Sequence, residues 1–193
     1  MMLDVATDGL RRCPTLASER LLLKPLRKED LSAIVHWLSD YETVLMLTYA
    51  PWPYTETDAL QWLTQVDRMC AMDAGCFWGV YLGETFIGTA GLSLFPEHAK
   101  GELHYWLGKR YWGQGYGTEI AKRAIAYAFG HIHLNRLEVN HMARNVRSER
   151  VIGKCGFVFE GLMRAYIRRF GAFEDVKFYS LLREECAQYG KNQ

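Results

Sequence analysis

No apolar run in the chain approaches the roughly 18 residues of a membrane-spanning helix; Val44–Leu45–Met46–Leu47 is typical of the longest. The first twenty residues carry Asp4, Asp8, Arg11, Arg12, Glu19 and Arg20, which leaves no apolar block of the kind a secretory leader needs. Surplus charge is missing too. Twenty-three basic against twenty-two acidic residues leave +1, too little for the concentrated positive field of a nucleic-acid or polybasic membrane binder. The five cysteines (13, 70, 76, 155 and 186) include no C-x-x-C and no histidine partner at zinc spacing. A disulfide framework and a metal site are therefore not expected, and reduced thiols in a cytoplasmic protein are the simplest account.

What is present suffices for one core. A chain of 193 residues falls in the single-domain range of roughly 100–200, and 49% hydrophobic residues can bury a sizeable interior. Residues 1–17 lack periodicity and read as a flexible N-terminal arm; 18–193 read as a single domain without repeat or linker. Leu21–Lys24, stopped by Pro25, is a short strand. Leu31, Ile34, Val35 and Leu38 follow helical spacing, with Glu29 and Asp30 at the positive start. Thr55 and Asp58 have capping-box spacing before a helix that buries Leu60, Leu63 and Val66. Phe77–Leu82 and Thr85–Leu94 flank Gly83-Glu84 as a hairpin. Strand 101–108, helix 118–129, strand 137–142 and helix 148–154 follow. Strands 157–160, 165–170 and 176–182 close the order, the last two a hairpin over 171–173. The sequence predicts an α+β fold: a mixed central β-sheet flanked by helices.

The most informative segment is Arg110-Tyr111-Trp112-Gly113-Gln114-Gly115-Tyr116-Gly117-Thr118-Glu119. Glycines at alternate positions separate a strand from a helix. Glycine admits positive φ and lets a ligand approach the main chain. The first N–H groups of a helix lack internal partners and carry about half a positive charge. Together they can cradle a phosphate without lysine; the alternative is an ordinary glycine-rich turn. No Gly-Lys-Ser/Thr follows, and the third glycine comes one residue too early for G-x-G-x-x-G.

This segment with Glu102-Leu103-His104-Tyr105-Trp106-Leu107-Gly108 before it resembles the acetyl-CoA-binding region of the GNAT superfamily of N-acetyltransferases. Asn145-Val146-Arg147-Ser148-Glu149-Arg150-Val151-Ile152-Gly153-Lys154-Cys155-Gly156-Phe157 resembles that family's second cofactor segment. Glu19–Leu26 and Pro51-Trp52-Pro53-Tyr54 resemble the branch holding the ribosomal-protein serine and alanine N-acetyltransferases. The resemblance implies acetyl-CoA as cosubstrate, lying between splayed parallel strands at 102–107 and 137–142. Main-chain groups of Trp106 and Leu107 would pair with the pantetheine arm. Backbone N–H groups of Gly113, Gln114, Gly115, Tyr116, Gly117 and Thr118 would hold the pyrophosphate, and Asn145 would bond the arm. Trp112 stands where the wider superfamily has Gln or Arg. Lys109, Arg110 and Arg147 either supply charge near the phosphates or are solvated surface.

Acetyl transfer needs a neutral amine. An α-amino group with a pKa of about 8 is substantially neutral near pH 7.5, whereas a lysine near 10.4 is about 0.1% neutral. Glu102, which shares a strand face with His104 and Trp106, is the candidate base, or else a strand-end carboxylate in solvent. His104 is a second base, a relay, or a packed imidazole. The tyrosine that many family members use as acid is replaced by Ile152; Ser148 matches the ribosomal-protein branch, unless it only caps its helix. Tyr166 stands where that branch can have a glutamate. Trp37, Trp52, Tyr54, Trp62 and Trp78 line an acceptor groove or build core, and Cys155 reads as packing rather than an acyl carrier. The leading expectation is transfer to a protein N-terminal amine, such as that of a ribosomal protein, by direct attack in a ternary complex. The alternatives are a small amine (polyamine or antibiotic) and a non-catalytic acyl-CoA-binding module. No membrane or nucleic-acid partner is expected, and the protein would be a monomer or homodimer.

Overall fold

The computed structural model describes residues 13–186 of the chain. Eight strands form one sheet in the order β1-β2-β3-β4-β5-β6-β8-β7. They are β1 (Leu16–Ala17), β2 (Leu21–Pro25), β3 (Gly75–Leu82), β4 (Thr85–Phe95), β5 (Lys100–Leu107), β6 (Arg136–Met142), β7 (Val158–Arg169) and β8 (Ala172–Leu182). Every neighbouring pair is antiparallel except β5 and β6, which run parallel. The helices are α1 (Leu31–Leu38), α2 (Tyr41–Leu45), α3 (Glu56–Ala71), α4 (Tyr116–Gly130) and α5 (Val146–Lys154).

Side-chain alternation on the strands divides the core between two faces. On one, Leu103, Leu107, Leu137 and Val139 pack with Ile120, Ala121, Ala124, Ile125 and Ala128 of α4. On the other, Phe77 and Phe86 meet Ile34 and Leu38 of α1, Val44 of α2, and Ala59, Leu63 and Val66 of α3. The Thr55/Asp58 capping box forms, with Thr55 N–H donating to Asp58 at 2.8 Å. Leu60, expected on the inner face of α3, is 45% exposed; Ala59 takes its place because the helix turns its apolar stripe one residue earlier.

Three expectations need correction. The arm is shorter than 1–17: Leu16 and Ala17 pair with Leu23 and Leu22, Leu16 is buried, and the Trp78 indole donates to Pro14 O at 2.7 Å. Residues 1–12 lie outside the described residues. Segments 157–160 and 165–170 are one long strand, β7, whose register against β8 breaks between Met163 and Ile167, where Ala165 has φ +50°. Helix α2 had no signal in the sequence. Its C-terminal carbonyls are held from elsewhere: Arg144 donates to Leu45 O at 2.7 Å and Arg169 to Val44 O at 3.4 Å.

Candidate active site

The parallel strands β5 and β6 are paired only through Lys100–Arg136, Gly101–Leu137 and Glu102–Glu138. Beyond Glu102 they part, and β5 runs on to Leu107 with one edge unpaired by β6. Gly108 N–H donates to Ile87 O at 2.9 Å. Because antiparallel ladders alternate, Trp106 then turns its N–H and C=O toward Thr89 of β4, while Tyr105 and Leu107 turn theirs into the split. This corrects the expectation for Trp106, whose main chain is engaged by β4. The Leu107 C=O already accepts the Trp112 indole N–H at 2.7 Å.

A cavity of about 330 Å³ occupies the split and runs to the start of α4. Trp106, Leu107, Trp112, Gly113, Gly115, Tyr116, Gly117, Thr118, Asn145, Arg147 and Ser148 all line it; Gln114 does not, because its side chain folds back to donate to Arg110 O at 2.8 Å. Gly113 (φ +73°) and Gly115 (φ +85°) occupy the left-handed region that favours glycine. Gly115 is the N-cap of α4 and offers no side-chain acceptor, and the first N–H of the helix bonded to its carbonyl is that of Glu119. The preceding N–H groups of Tyr116, Gly117 and Thr118 lie at the positive helix end without a side-chain cap. A Cβ at Gly113 would meet nothing within 4 Å, so the space over this turn is open. Such a cradle suits a diphosphate.

The loop is braced from behind by a residue that sequence reasoning missed. Arg20 pairs with Glu119 at 2.7 Å, donates to Gln114 O at 3.1 Å and lies 4.4 Å over the Tyr116 ring. Ser18 and the Arg20 N–H also donate to Glu119 (2.8 and 2.7 Å). Glu119's carboxyl is thereby held below its ordinary range, the hydrogen bonds outweighing its partial burial. Lys109 is spent on Glu42 at 2.6 Å, whereas the Arg147 guanidinium stacks 4.9 Å over the Trp112 ring.

Asn145, not Ser148, caps α5: its side chain accepts the Ser148 N–H at 3.2 Å. The capping alternative for Ser148 is thus removed. Its hydroxyl lies 3.0 Å from the Tyr105 hydroxyl, and both residues line the cavity. Burial raises the Tyr105 phenol well above its ordinary pKa, so it stays protonated. Cys155 is fully buried, and burial pushes its thiol up to about 11, which opposes an acyl-cysteine route.

Glu102 and His104 do not line this cavity; Glu102 ends the paired stretch of β5 and β6 and His104 stands two residues beyond it, both on the strand face they share with Trp106. Asn140 of β6 donates to Glu102 Oε1 at 2.6 Å. His104 Nε2 meets Ser93 Oγ at 2.9 Å, and its ring stacks 6.4 Å from Phe77. The surrounding protein lowers the His104 pKa, with the Glu102 charge pulling the other way. The Tyr49 phenol, on a residue 81% exposed, is raised by what desolvation it has, then by Tyr166 and by Glu102. Among the tryptophans and Tyr54, core wins for most. Trp78 and Tyr54 are buried, Trp37 donates to Phe86 O at 3.0 Å, and Trp52 is 40% exposed against Tyr41. Tyr105, Asn140, Tyr49 and Arg20 carried no local signal; only the register and the tertiary fold bring them in.

A sheet opened between two parallel strands, with an uncapped helix start at its mouth, defines an acyl-coenzyme A-dependent transferase. Residues 20–158 match the model of the acetyltransferase (GNAT) domain, and the chain belongs to that family. It is an N-acetyltransferase. The uncharacterised N-acetyltransferase p20 of Bacillus licheniformis is 29% identical over 177 residues, covering 90% of this chain and 98% of that one. The FsC-acetyl coenzyme A-N(2)-transacetylase of Aspergillus fumigatus is 28% identical over 92% of this chain and 80% of its own length. Among solved structures, RimL, a ribosomal L7/L12 alpha-N-protein acetyltransferase in complex with coenzyme A, superposes with a TM-score of 0.82 at 15% identity. That match covers 89% of this chain and 99% of RimL, and it speaks to the fold. GNAT acetyltransferases use acetyl-CoA. No described helix is long and apolar enough to cross a membrane, and no group of metal-ligating side chains occurs among the described residues.

Proposed function

We propose that the protein transfers the acetyl group of acetyl-CoA to a protein N-terminal α-amino group, as the ribosomal-protein acetyltransferases do. The observation that carries this reading is the placement of Glu102. Glu102 is the last β5 residue paired with β6, at the point where the split that holds the cavity begins. One base of ordinary reach suffices for an α-amine, which is already partly neutral at pH 7.5, whereas lysine would demand far more.

Acetyl-CoA, when bound, supplies an activated acyl group and a thiolate leaving group. The N–H groups of Tyr116, Gly117 and Thr118 would hold its diphosphate, and those of Tyr105 and Leu107 would meet the arm. On the acceptor side Glu102 takes the amine proton. His104, bonded to Ser93 at 2.9 Å, is available to relay it. Elsewhere in the cavity the Tyr105 and Ser148 hydroxyls are bonded; with Tyr105 as the donor, the Ser148 hydrogen would be free to point toward developing negative charge.

The small-amine alternative has its own support in the similarity to the FsC transacetylase. Parallel turnover assays separate the two: free thiol is followed with acetyl-CoA and a peptide beginning Ser or Ala, spermidine, or an aminoglycoside. We expect kcat/KM at least tenfold higher for the peptides. Higher turnover of either small amine, or of a peptide whose sole free amine is a lysine, would overturn the reading.

A further inference from the structure

We infer that Asn140 is a positioning residue for the base: it holds one oxygen of Glu102 across the split and leaves the other to take the amine proton. This rests on the assignment of Glu102 as base in the proposed reaction. Glu102 is the last residue of β5 paired with β6, and Asn140 stands two residues beyond its partner Glu138, where the strands have already parted. The amide bridges that gap at 2.6 Å, from Nδ2 to Oε1. Among the described residues, no side chain or main-chain donor is bonded to Oε2. The two oxygens are thereby distinguished, one fixed to the far strand and one open to an acceptor.

The amide can do this because it is neutral. A donor amide fixes the carboxylate without adding a charge that would repel an ammonium acceptor. The proton leaves the amine nitrogen for Oε2, the electron pair stays on nitrogen for attack, and the carboxyl returns the proton to solvent. The other titratable groups facing Glu102 are His104 on its own strand, Glu138 beside it on β6, and Tyr49, which is itself near Tyr166 of β7. Lys100 and Arg136 bond Glu138 rather than Glu102. None of them donates to Oε1, so the fixing of that oxygen falls to Asn140.

The test compares Asn140→Leu, which fills the same space without a donor, with Asn140→Asp, which puts a second carboxyl against the first. With acetyl-CoA saturating, kcat and KM for a serine-initiated peptide are followed separately at a pH above the amine's own pKa of about 8, so that the acceptor is mostly neutral. We expect kcat to fall about tenfold in the leucine variant and further in the aspartate variant, with KM and the affinity for coenzyme A within twofold. Asn140→Gln should partly restore kcat, which confirms a donor rather than a packing role. Unchanged kcat in both Asn140→Leu and Asn140→Asp, with Glu102→Gln still impaired, would overturn the positioning role alone. Full turnover by Glu102→Gln would overturn the base assignment beneath it.

Discussion

The two ends of the proposed site are built from different materials. At the coenzyme end the working groups would be backbone N–H donors between Gly113 and Thr118, and the side chains there brace the loop from behind. At the acceptor end they would be side chains: Glu102, Asn140 and His104, from two central strands. A main-chain site is set by where the chain turns, and it tolerates exchange of its non-glycine residues. A side-chain site is set by identity, and each exchange changes its chemistry. A common cofactor can thus be kept while the acceptor drifts.

Substitutions can break this contrast. The largest effect is expected from Gly115→Trp. The left-handed φ and the Arg20 guanidinium, 3.3 Å from where a Cβ would stand, should together weaken coenzyme A binding by about 100-fold or more. Calorimetry checks this, and equal affinity would refute the cradle. Glu102→Gln should do the opposite, lowering kcat by about 100-fold while leaving that affinity within twofold. A smaller change, roughly tenfold in kcat, is expected for Ser148→Ala, with Tyr105→Phe closer to wild type because the serine keeps its own hydrogen. If Tyr105→Phe proved the worse of the two, the phenol would be the group that meets the charge.

The smallest effect lies outside the chemistry, on the flank of the acceptor end. Glu160, bonded to Arg136 and Ser180, has its carboxyl pulled down from 4.5 to about 2, chiefly by Arg136. Since the folded value lies below the unfolded one, the associated stability is fully present above about pH 4.5. It fades as pH falls through about 2. Glu160→Gln should therefore flatten the acid dependence of thermal unfolding in that window and leave neutral turnover unchanged. The pair is partly exposed, so a shift of only a few degrees is expected.

The glycine turn and the uncapped start of α4 were legible in the sequence because their cause is local. Alternate glycines before the apolar stripe of α4 specify both the turn and the free helix start. The strand, hairpin and capping-box signals were likewise local, and each lies within a few residues of its place. The acceptor end was readable only as a candidate carboxylate. Asn140 meets Glu102 through a register between strands separated by the whole of α4, and nothing near either residue encodes that. The same reason hid α2: five residues alone make a poor helix, and Arg144 and Arg169, distant in the chain, complete its last turn. Trp106 was misassigned because main-chain direction follows strand pairing rather than side-chain type.

The seam between β5 and β6 holds only three residue pairs, so the sheet divides there into two leaves. A pantetheine arm lying along the open edge would lace those leaves over their remaining length. Hydrogen exchange should then register the ligand as slowed amides on both leaves at once, out to strands that never touch it. The coenzyme would serve as a removable structural member of the sheet as well as a reactant.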